Sequence, residues 1–204
     1  MKLYYSPGAC SLSPHIALKE SGLVFEAIAA PTKTHQLADG TDYYTIKPLG
    51  YVPLLVLDDG SQLREGPAIV QYIADQVPDK KLAPANGTFE RYKLQEWLTF
   101  IGTELHKGFS PLFTPGMPEE AKTMAKTRLR SRLQWVDGEL AKSDYLMGST
   151  FTVADAYLFT VSSWTPHVGI DLSDFRNLLA FRARVGARPA VIAAMQAEGL
   201  IKSA

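Results

Sequence analysis

The chain has 204 residues, and its 21 lysines and arginines are balanced by 21 aspartates and glutamates. This length fits one large domain or two small ones, and zero net charge argues against nucleic acid as the main partner. The single cysteine excludes an internal disulfide framework and a multi-cysteine metal site, and it favours a reducing cytoplasm. We find no signal-peptide core and no apolar run near the ~20 residues of a membrane span, so we expect no membrane partner.

The first 77 residues alternate strand-like and helix-like segments. Apolar runs at residues 2–5 and 25–30 predict strands, and the segment between them predicts a helix that Gly22 ends. Such a β-α-β crossover makes its two strands parallel. The sequence then predicts a short irregular helix at 41–46, strands at 52–57 and 61–64, and a helix at 66–77.

Beyond residue 78 the strand signals stop and helical periodicity takes over. We predict long helices at 89–109 and 118–140, a third helix beginning at Thr152, and shorter helices at 175–185 and 189–198. The fold class is therefore α/β followed by all-α. We expect an N-terminal thioredoxin-like domain (β-α-β-α-β-β-α) over residues 1–80, a linker at 81–86, and a helical bundle domain over 87–204.

Cys10 is the most informative residue, because it falls in the loop between the first strand and the first helix. Pro7-Gly8 predicts a turn, and Ser13-Pro14 predicts a helix start with Ser13 as N-cap. Unpaired N–H groups at a helix N-terminus stabilise an anion, so a lowered thiol pKa is expected. A small buried apolar cysteine is the alternative. With Ser13 in place of a second thiol, any disulfide chemistry needs an external thiol.

Thr152 and Asp155 have the spacing of a capping box, in which each side chain satisfies a backbone N–H at a helix start. An apolar stretch follows Asp155, so we expect a buried cap rather than a catalytic carboxylate. Loss of a cap of this kind costs about 1–2 kcal/mol.

Five segments together resemble the cytosolic glutathione transferases, specifically the bacterial beta class. They are residues 1–12 (MKLYYSPGACSL), 50–53 (GYVP), 64–69 (REGPAI), 104–112 (ELHKGFSPL) and 151–155 (FTVAD). Each is weak alone, but five in the family's order are specific, and the resemblance extends over nearly the whole chain.

The resemblance implies a glutathione site in the first domain, with glutathione as co-substrate and no prosthetic group or metal. Val52 would pair its backbone with the cysteinyl part of glutathione, next to a cis peptide bond at Pro53. The backbone N–H groups of Glu65 and Gly66, at a helix start, would receive the γ-glutamyl carboxylate. Glu65 has the alternative of a simple partner for the helix dipole.

The resemblance also assigns residues of the second domain. His106 would face Cys10 across a cleft between the domains and stabilise sulfur there. Lys107 would contribute to the same site as His106; the alternative is that it is a solvated charge at the end of the helix. Thr103 and Glu104 would line the same cleft, with Glu104 reaching the glutathione of a partner subunit. The electrophile would lie against the loop before residue 118 and against three aromatic residues: Phe109, Phe113 and Trp164.

Several glutathione-site positions leave alternatives open. Tyr5 and Ser11 are rival activators of the glutathione thiolate, although Tyr5 has the alternative of simple packing. The family's lysine for the glycyl carboxylate is replaced by His35, with Lys33 nearby. Because histidine titrates near pH 6.5, glycine-side affinity would fall as the pH rises. Thr99 replaces a common asparagine, with no clear effect.

The resemblance implies a cytoplasmic homodimeric enzyme of detoxification that conjugates glutathione to hydrophobic electrophiles, with mixed-disulfide chemistry at Cys10. One alternative is a glutathione-dependent reductive dehalogenase or thiol-disulfide reductase. The other is a ligand-binding protein without turnover, because a fold does not fix a function. Analysis of products separates conjugation from reduction.

Overall fold

A computed structural model describes residues 1–202 and divides the chain into two compact units. The first unit comprises Met1–Ala83 and the C-terminal segment that begins at Ala187. The second unit is Pro84–Gly186. No helix among the described residues is both long and apolar enough to cross a membrane.

The first unit contains a four-stranded mixed sheet. Its strands are β1 (Lys2–Tyr5), β2 (Glu26–Ala29), β3 (Leu54–Val56) and β4 (Gln62–Arg64), in the spatial order β2-β1-β3-β4. Strands β1 and β2 are parallel, whereas β3 pairs antiparallel with both β1 and β4. The predicted β-α-β crossover and the following hairpin are therefore confirmed.

Two helices pack with this sheet, namely α1 (Leu12–Ser21) and α2 (Gly66–Asp75). Gly22 ends α1 in the left-handed conformation, with φ +75°, as predicted. The predicted start of α1 is wrong, because the helix begins at Leu12 and Ser11 rather than Ser13 is the N-cap. The N–H groups of Leu12 and Ser13 donate hydrogen bonds to the carbonyl groups of Ala9 and Cys10, so helical winding begins before Pro14. The irregular helix predicted at 41–46 is a 3₁₀ turn, Tyr43–Thr45.

The second unit is helical, as predicted. It contains α3 (Phe89–Phe100), α4 (Lys107–Phe113), α5 (Glu119–Leu140), α6 (Val153–Ser162) and α7 (Arg176–Gly186). A π-helical stretch, Ile101–His106, joins α3 to α4, so the helix predicted at 89–109 continues to Phe113 with a change of winding. Such stretches occur frequently at functional sites.

The capping box at α6 is present, and Asp155 is fully buried. Its carboxylate accepts hydrogen bonds from the N–H and hydroxyl of Thr152, at 2.7 and 2.9 Å, and from the N–H of Leu146 at 2.9 Å. Burial raises the Asp155 pKa to about 6, while these donors act in the opposite direction. The Asp155 carboxylate thus accepts hydrogen bonds from groups of the second unit, which agrees with a structural role.

The last helix, α8 (Pro189–Ala197), packs against α1 in the first unit. Arg188 makes two hydrogen bonds to Glu20 of α1, at 2.5 and 3.0 Å. We predicted that the helical domain extends to residue 204, whereas the segment that begins at Ala187 belongs to the first unit. Helical periodicity identifies α8 but does not indicate which surface it covers.

Candidate active site

Cys10 lies in the turn between β1 and α1, and its thiol donates a hydrogen bond to the carbonyl oxygen of Val52 at 3.3 Å. Burial raises the thiol pKa to about 11, and the Glu65 carboxylate adds to the rise. The N–H groups of Cys10 and Ser11 and the Lys47 ammonium lower it. The predicted lowering of the pKa is therefore wrong, because desolvation of the thiolate outweighs the helix N-terminus.

Ser11 is fully buried, and its hydroxyl is used within the loop. It accepts a hydrogen bond from the N–H of Ser6 at 3.0 Å and donates to the Ser6 carbonyl at 3.2 Å. These bonds fix the turn that carries Cys10. They favour a structural role for Ser11 over the predicted activation of a thiolate.

Tyr5, the other rival activator, is a buried residue of β1. Its hydroxyl donates to the carbonyl of Ala197 at 3.5 Å, and its ring lies 5.5 Å from that of His15. Burial and the nearby Glu198 carboxylate both raise the Tyr5 pKa. These contacts support the packing alternative.

The peptide bond between Val52 and Pro53 is cis, as the resemblance implied. Val52 is 8% exposed, and its carbonyl is the acceptor for the Cys10 thiol. The next carbonyl, of Pro53, accepts from the Lys47 ammonium at 3.2 Å. The structure therefore brings Cys10 to the backbone segment predicted to pair with glutathione.

Glu65 joins β4 to α2 with a backbone φ of +67°, a conformation that side-chain-bearing residues rarely adopt. Residues held in such regions cluster at active sites and ligand clamps. The Glu65 carbonyl accepts from the N–H groups of Ala68 and Ile69 at 3.0 Å, so α2 begins at Gly66 as predicted. A helix start of this kind suits a carboxylate ligand.

His35 also has a positive φ, of +54°, and its ring stacks on Tyr44 with 4.4 Å between centroids. A Cβ atom at Gly50 would lie 2.9 Å from its Nδ1, so the ring covers the Gly50 backbone, two residues before Val52. The buried Nδ1 atom has no hydrogen-bond partner. Lys33 is exposed in the same loop. The structure thus places His35 beside the 50–53 segment.

His106 ends the π-helical stretch of the second unit. Its Nδ1 lies 2.7 Å from the hydroxyl of Tyr157, and its ring centroid lies 5.0 Å from that of Trp164. Burial, with a contribution from the neighbouring Lys107, lowers the His106 pKa to about 4. The imidazole is therefore neutral at physiological pH. It can exchange a hydrogen bond but does not supply a positive charge to a thiolate.

Glu104 lies on the same stretch and forms ion pairs with Arg128 at 3.0 Å and Arg132 at 2.8 Å. Hydrogen bonds from the two guanidinium groups lower the Glu104 pKa. Thr103 donates to the carbonyl of Thr99 at 3.0 Å. The predicted contact of Glu104 with a partner's glutathione stays a prediction, and its carboxylate already has two cationic partners.

A cluster of three aromatic rings adjoins His106: Phe109 and Phe113 lie on α4, and Trp164 follows α6. Phe109 lies 5.5 Å and Phe113 6.0 Å from Trp164, between ring centroids. Phe109 is fully buried, whereas Phe113 is 52% exposed. The aromatic surface predicted for the electrophile is therefore a real cluster within the second unit.

Sequence reasoning missed three residues that contact these groups. Lys47 is buried beside the cis peptide, Tyr157 pairs with His106, and Glu198 accepts from the N–H of Gly8 in the Cys10 loop. None belongs to a short motif. A lysine before a proline and a glutamate after the last helix are ordinary surface residues in a sequence.

Comparison with known proteins matches both units. The N-terminal domain model of glutathione S-transferase matches residues 8–76, and the C-terminal domain model matches residues 100–189. Glutathione S-transferase GstA of Escherichia coli O157:H7 is 48% identical over 98% of this chain and all of its own length.

Two solved structures are also similar, each with a TM-score of 0.95. The bacterial beta class glutathione S-transferase of Sphingomonas chungbukensis is 51% identical and covers 98% of this chain and all of its own. A sphingomonad glutathione S-transferase complexed with glutathione is 47% identical over the same shares.

Proposed function

Because the chain belongs to the beta class of the glutathione S-transferase family, we propose that it conjugates glutathione to hydrophobic electrophiles. The observation that carries the proposal is the hydrogen bond from the Cys10 thiol to the Val52 carbonyl oxygen, 3.3 Å long, next to the cis Val52–Pro53 peptide bond. An extended tripeptide such as glutathione can pair with the backbone of such a segment as an added strand.

In this proposal the first unit binds glutathione. Backbone groups of Val52 hold its cysteinyl part, and the helix start at Glu65 and Gly66 receives one carboxylate. His35, stacked on Tyr44 beside the same segment, receives the glycyl carboxylate. These assignments place the thiol of glutathione close to Cys10, whose raised pKa keeps it a neutral hydrogen-bond donor at rest.

The second unit supplies the electrophile surface. The exposed face of Phe113 beside Trp164 offers apolar area to a hydrophobic ligand, and burial of that area favours binding by roughly 25 cal/mol per Å². His106 reaches the same cluster and adds a neutral imidazole, a hydrogen-bonding group, to that surface. We further propose a cytoplasmic homodimer, as the family resemblance implies.

The second candidate is glutathione-dependent reduction through a mixed disulfide at Cys10. A single free thiol hydrogen-bonded at the predicted glutathione position favours it. Conjugation yields a glutathione thioether, whereas reduction yields oxidised glutathione.

The test is steady-state turnover with 1-chloro-2,4-dinitrobenzene, combined with intact-protein mass spectrometry after incubation with glutathione. Wild type and Cys10→Ala are compared, and size-exclusion chromatography with light scattering reports the oligomeric state. Thioether formation by wild type is the expected result. Turnover that survives in Cys10→Ala while the adduct disappears assigns Cys10 to thiol-disulfide exchange. Absence of both in wild type contradicts the proposal.

A further inference from the structure

Lys47 is a buried cation next to the Cys10 site. The residue is 5% exposed, although lysine is almost never buried without a partner. Its ammonium donates to the carbonyl of Pro53 at 3.2 Å, and the Cys10 thiol donates to the carbonyl of Val52 at 3.3 Å. Two consecutive carbonyl groups therefore accept one bond each from the ammonium and the thiol, and the two groups interact electrostatically.

The charged groups that act on this pair are few. Lys47 interacts with Glu65, Arg64 and Cys10, and Cys10 interacts with Lys47 and Glu65. Burial lowers the Lys47 pKa, and Glu65 and Cys10 raise it. The ammonium in turn lowers the thiol pKa, against burial and Glu65. A low local dielectric strengthens such interactions.

We propose that Lys47 is a positioning residue for Cys10: its ammonium stabilises the Cys10 thiolate that reacts with the disulfide of oxidised glutathione. The step rests on the mixed-disulfide part of the proposed function. The Cys10 thiolate attacks one sulfur of oxidised glutathione, and a Cys10–glutathione disulfide forms as the glutathione disulfide breaks. Glutathione leaves as a thiolate and takes a proton from solvent, so the exchange has no net oxidation.

The chain's single cysteine makes the proposal directly measurable, because every thiol reagent reports on Cys10. The rate of alkylation by iodoacetamide is followed from pH 6 to 11 without glutathione, in wild type and Lys47→Met. The rate below the pKa is proportional to the thiolate fraction, so it falls tenfold for each unit by which the pKa rises. We expect Lys47→Met to slow alkylation at pH 8 by about three- to tenfold and to move the profile to higher pH.

Three variants separate charge from shape. Lys47→Gln keeps a donor for the Pro53 carbonyl but loses the charge, so it is expected to behave like Lys47→Met. Lys47→Arg keeps the charge and is expected to alkylate near the wild-type rate. Lys80→Met, an exposed lysine of the same unit, controls for a general change in net charge. Urea midpoints establish that each variant is folded, and Lys47→Gln serves as the test if Lys47→Met does not fold.

An unchanged profile in the folded uncharged variants overturns the proposal. So does a wild-type rate in Lys47→Gln beside a slow Lys47→Met, because the hydrogen bond rather than the charge would then be responsible. A slow Lys47→Arg contradicts it as well. Since alkylation requires neither glutathione nor electrophile, this outcome is independent of whether the protein conjugates glutathione to 1-chloro-2,4-dinitrobenzene.

Discussion

Glu198 pairs with His15 across 183 positions of sequence, with 2.9 Å between its Oε1 and the histidine Nδ1. Both side chains are fully buried. The second oxygen of Glu198 accepts the N–H of Gly8, in the loop that carries Cys10. The residue that follows the last helix therefore fixes both α1 and the Cys10 loop.

Glu198→Ala is expected to lower the free energy of unfolding by about 3 kcal/mol, because the fully buried His15 ring loses its carboxylate partner and the bond from the Gly8 N–H to Glu198 is also lost. Urea denaturation measures the change. Glu26→Ala is the matched control, since the Glu26 side chain forms an exposed pair with Lys2 at 3.8 Å, and pairs of this kind contribute less than about 1 kcal/mol. Equal losses in the two variants would show that the buried pair does not anchor the loop.

Asp155→Ala is expected to lower the free energy of unfolding by about 2 kcal/mol, because the capping carboxylate and its bond to the Leu146 N–H are both lost. Asp155→Asn retains an acceptor and is expected to recover part of the loss. Thermal melts measure both variants. Turnover per folded molecule is expected to be unchanged, and a specific loss of turnover in a stable Asp155→Asn would make the carboxylate catalytic.

The sequence predicted the elements that local patterns encode. The β-α-β crossover, the hairpin around Gly60 and the Asp155 box depend on turn residues and periodicity within about ten positions. The cis bond at Pro53 was predicted by resemblance to a family, and no local pattern required it.

The site's electrostatics were not predictable from sequence position. The start of a helix next to Cys10 indicated a low thiol pKa, but burial dominates and raises it. The thiol also hydrogen-bonds to the Val52 carbonyl, 42 residues away in the sequence, and its pKa responds to the charges of Lys47 and Glu65. The contacts of Glu198 are equally non-local. The pKa of Cys10 and the contacts of Glu198 therefore depend on residues that are distant in the sequence, which a local sequence pattern does not reveal.

His106 is expected to make the protein less stable in mild acid. Its pKa is about 4 in the folded protein and about 6.5 in an unfolded chain, so the unfolded chain binds more protons between these values. The free energy of unfolding therefore falls as the pH falls from 6.5 toward 4, and is fully retained above 6.5. Urea midpoints at pH 7.5 and 5.0 measure this loss. His106→Gln is expected to reduce the difference, whereas the exposed His167→Gln is expected to retain it.

His35 receives the glycyl carboxylate in the proposed site, so His35→Ala is expected to raise the KM for glutathione severalfold because this hydrogen-bonding partner is lost. His35→Gln keeps a hydrogen-bond donor and is expected to recover part of the loss. Steady-state turnover at varied glutathione concentration measures the KM of each variant.

The matched control for this test is Lys33→Met, which removes an exposed cation of the same loop and leaves His35 in place. The KM for glutathione is expected to stay near the wild-type value in that variant, because the loop's backbone and the ring stacked on Tyr44 are unchanged. An unchanged KM in His35→Ala removes His35 from the binding site. A KM that rises only in Lys33→Met assigns the carboxylate to Lys33, whose ammonium would then replace the imidazole as the partner of glycine.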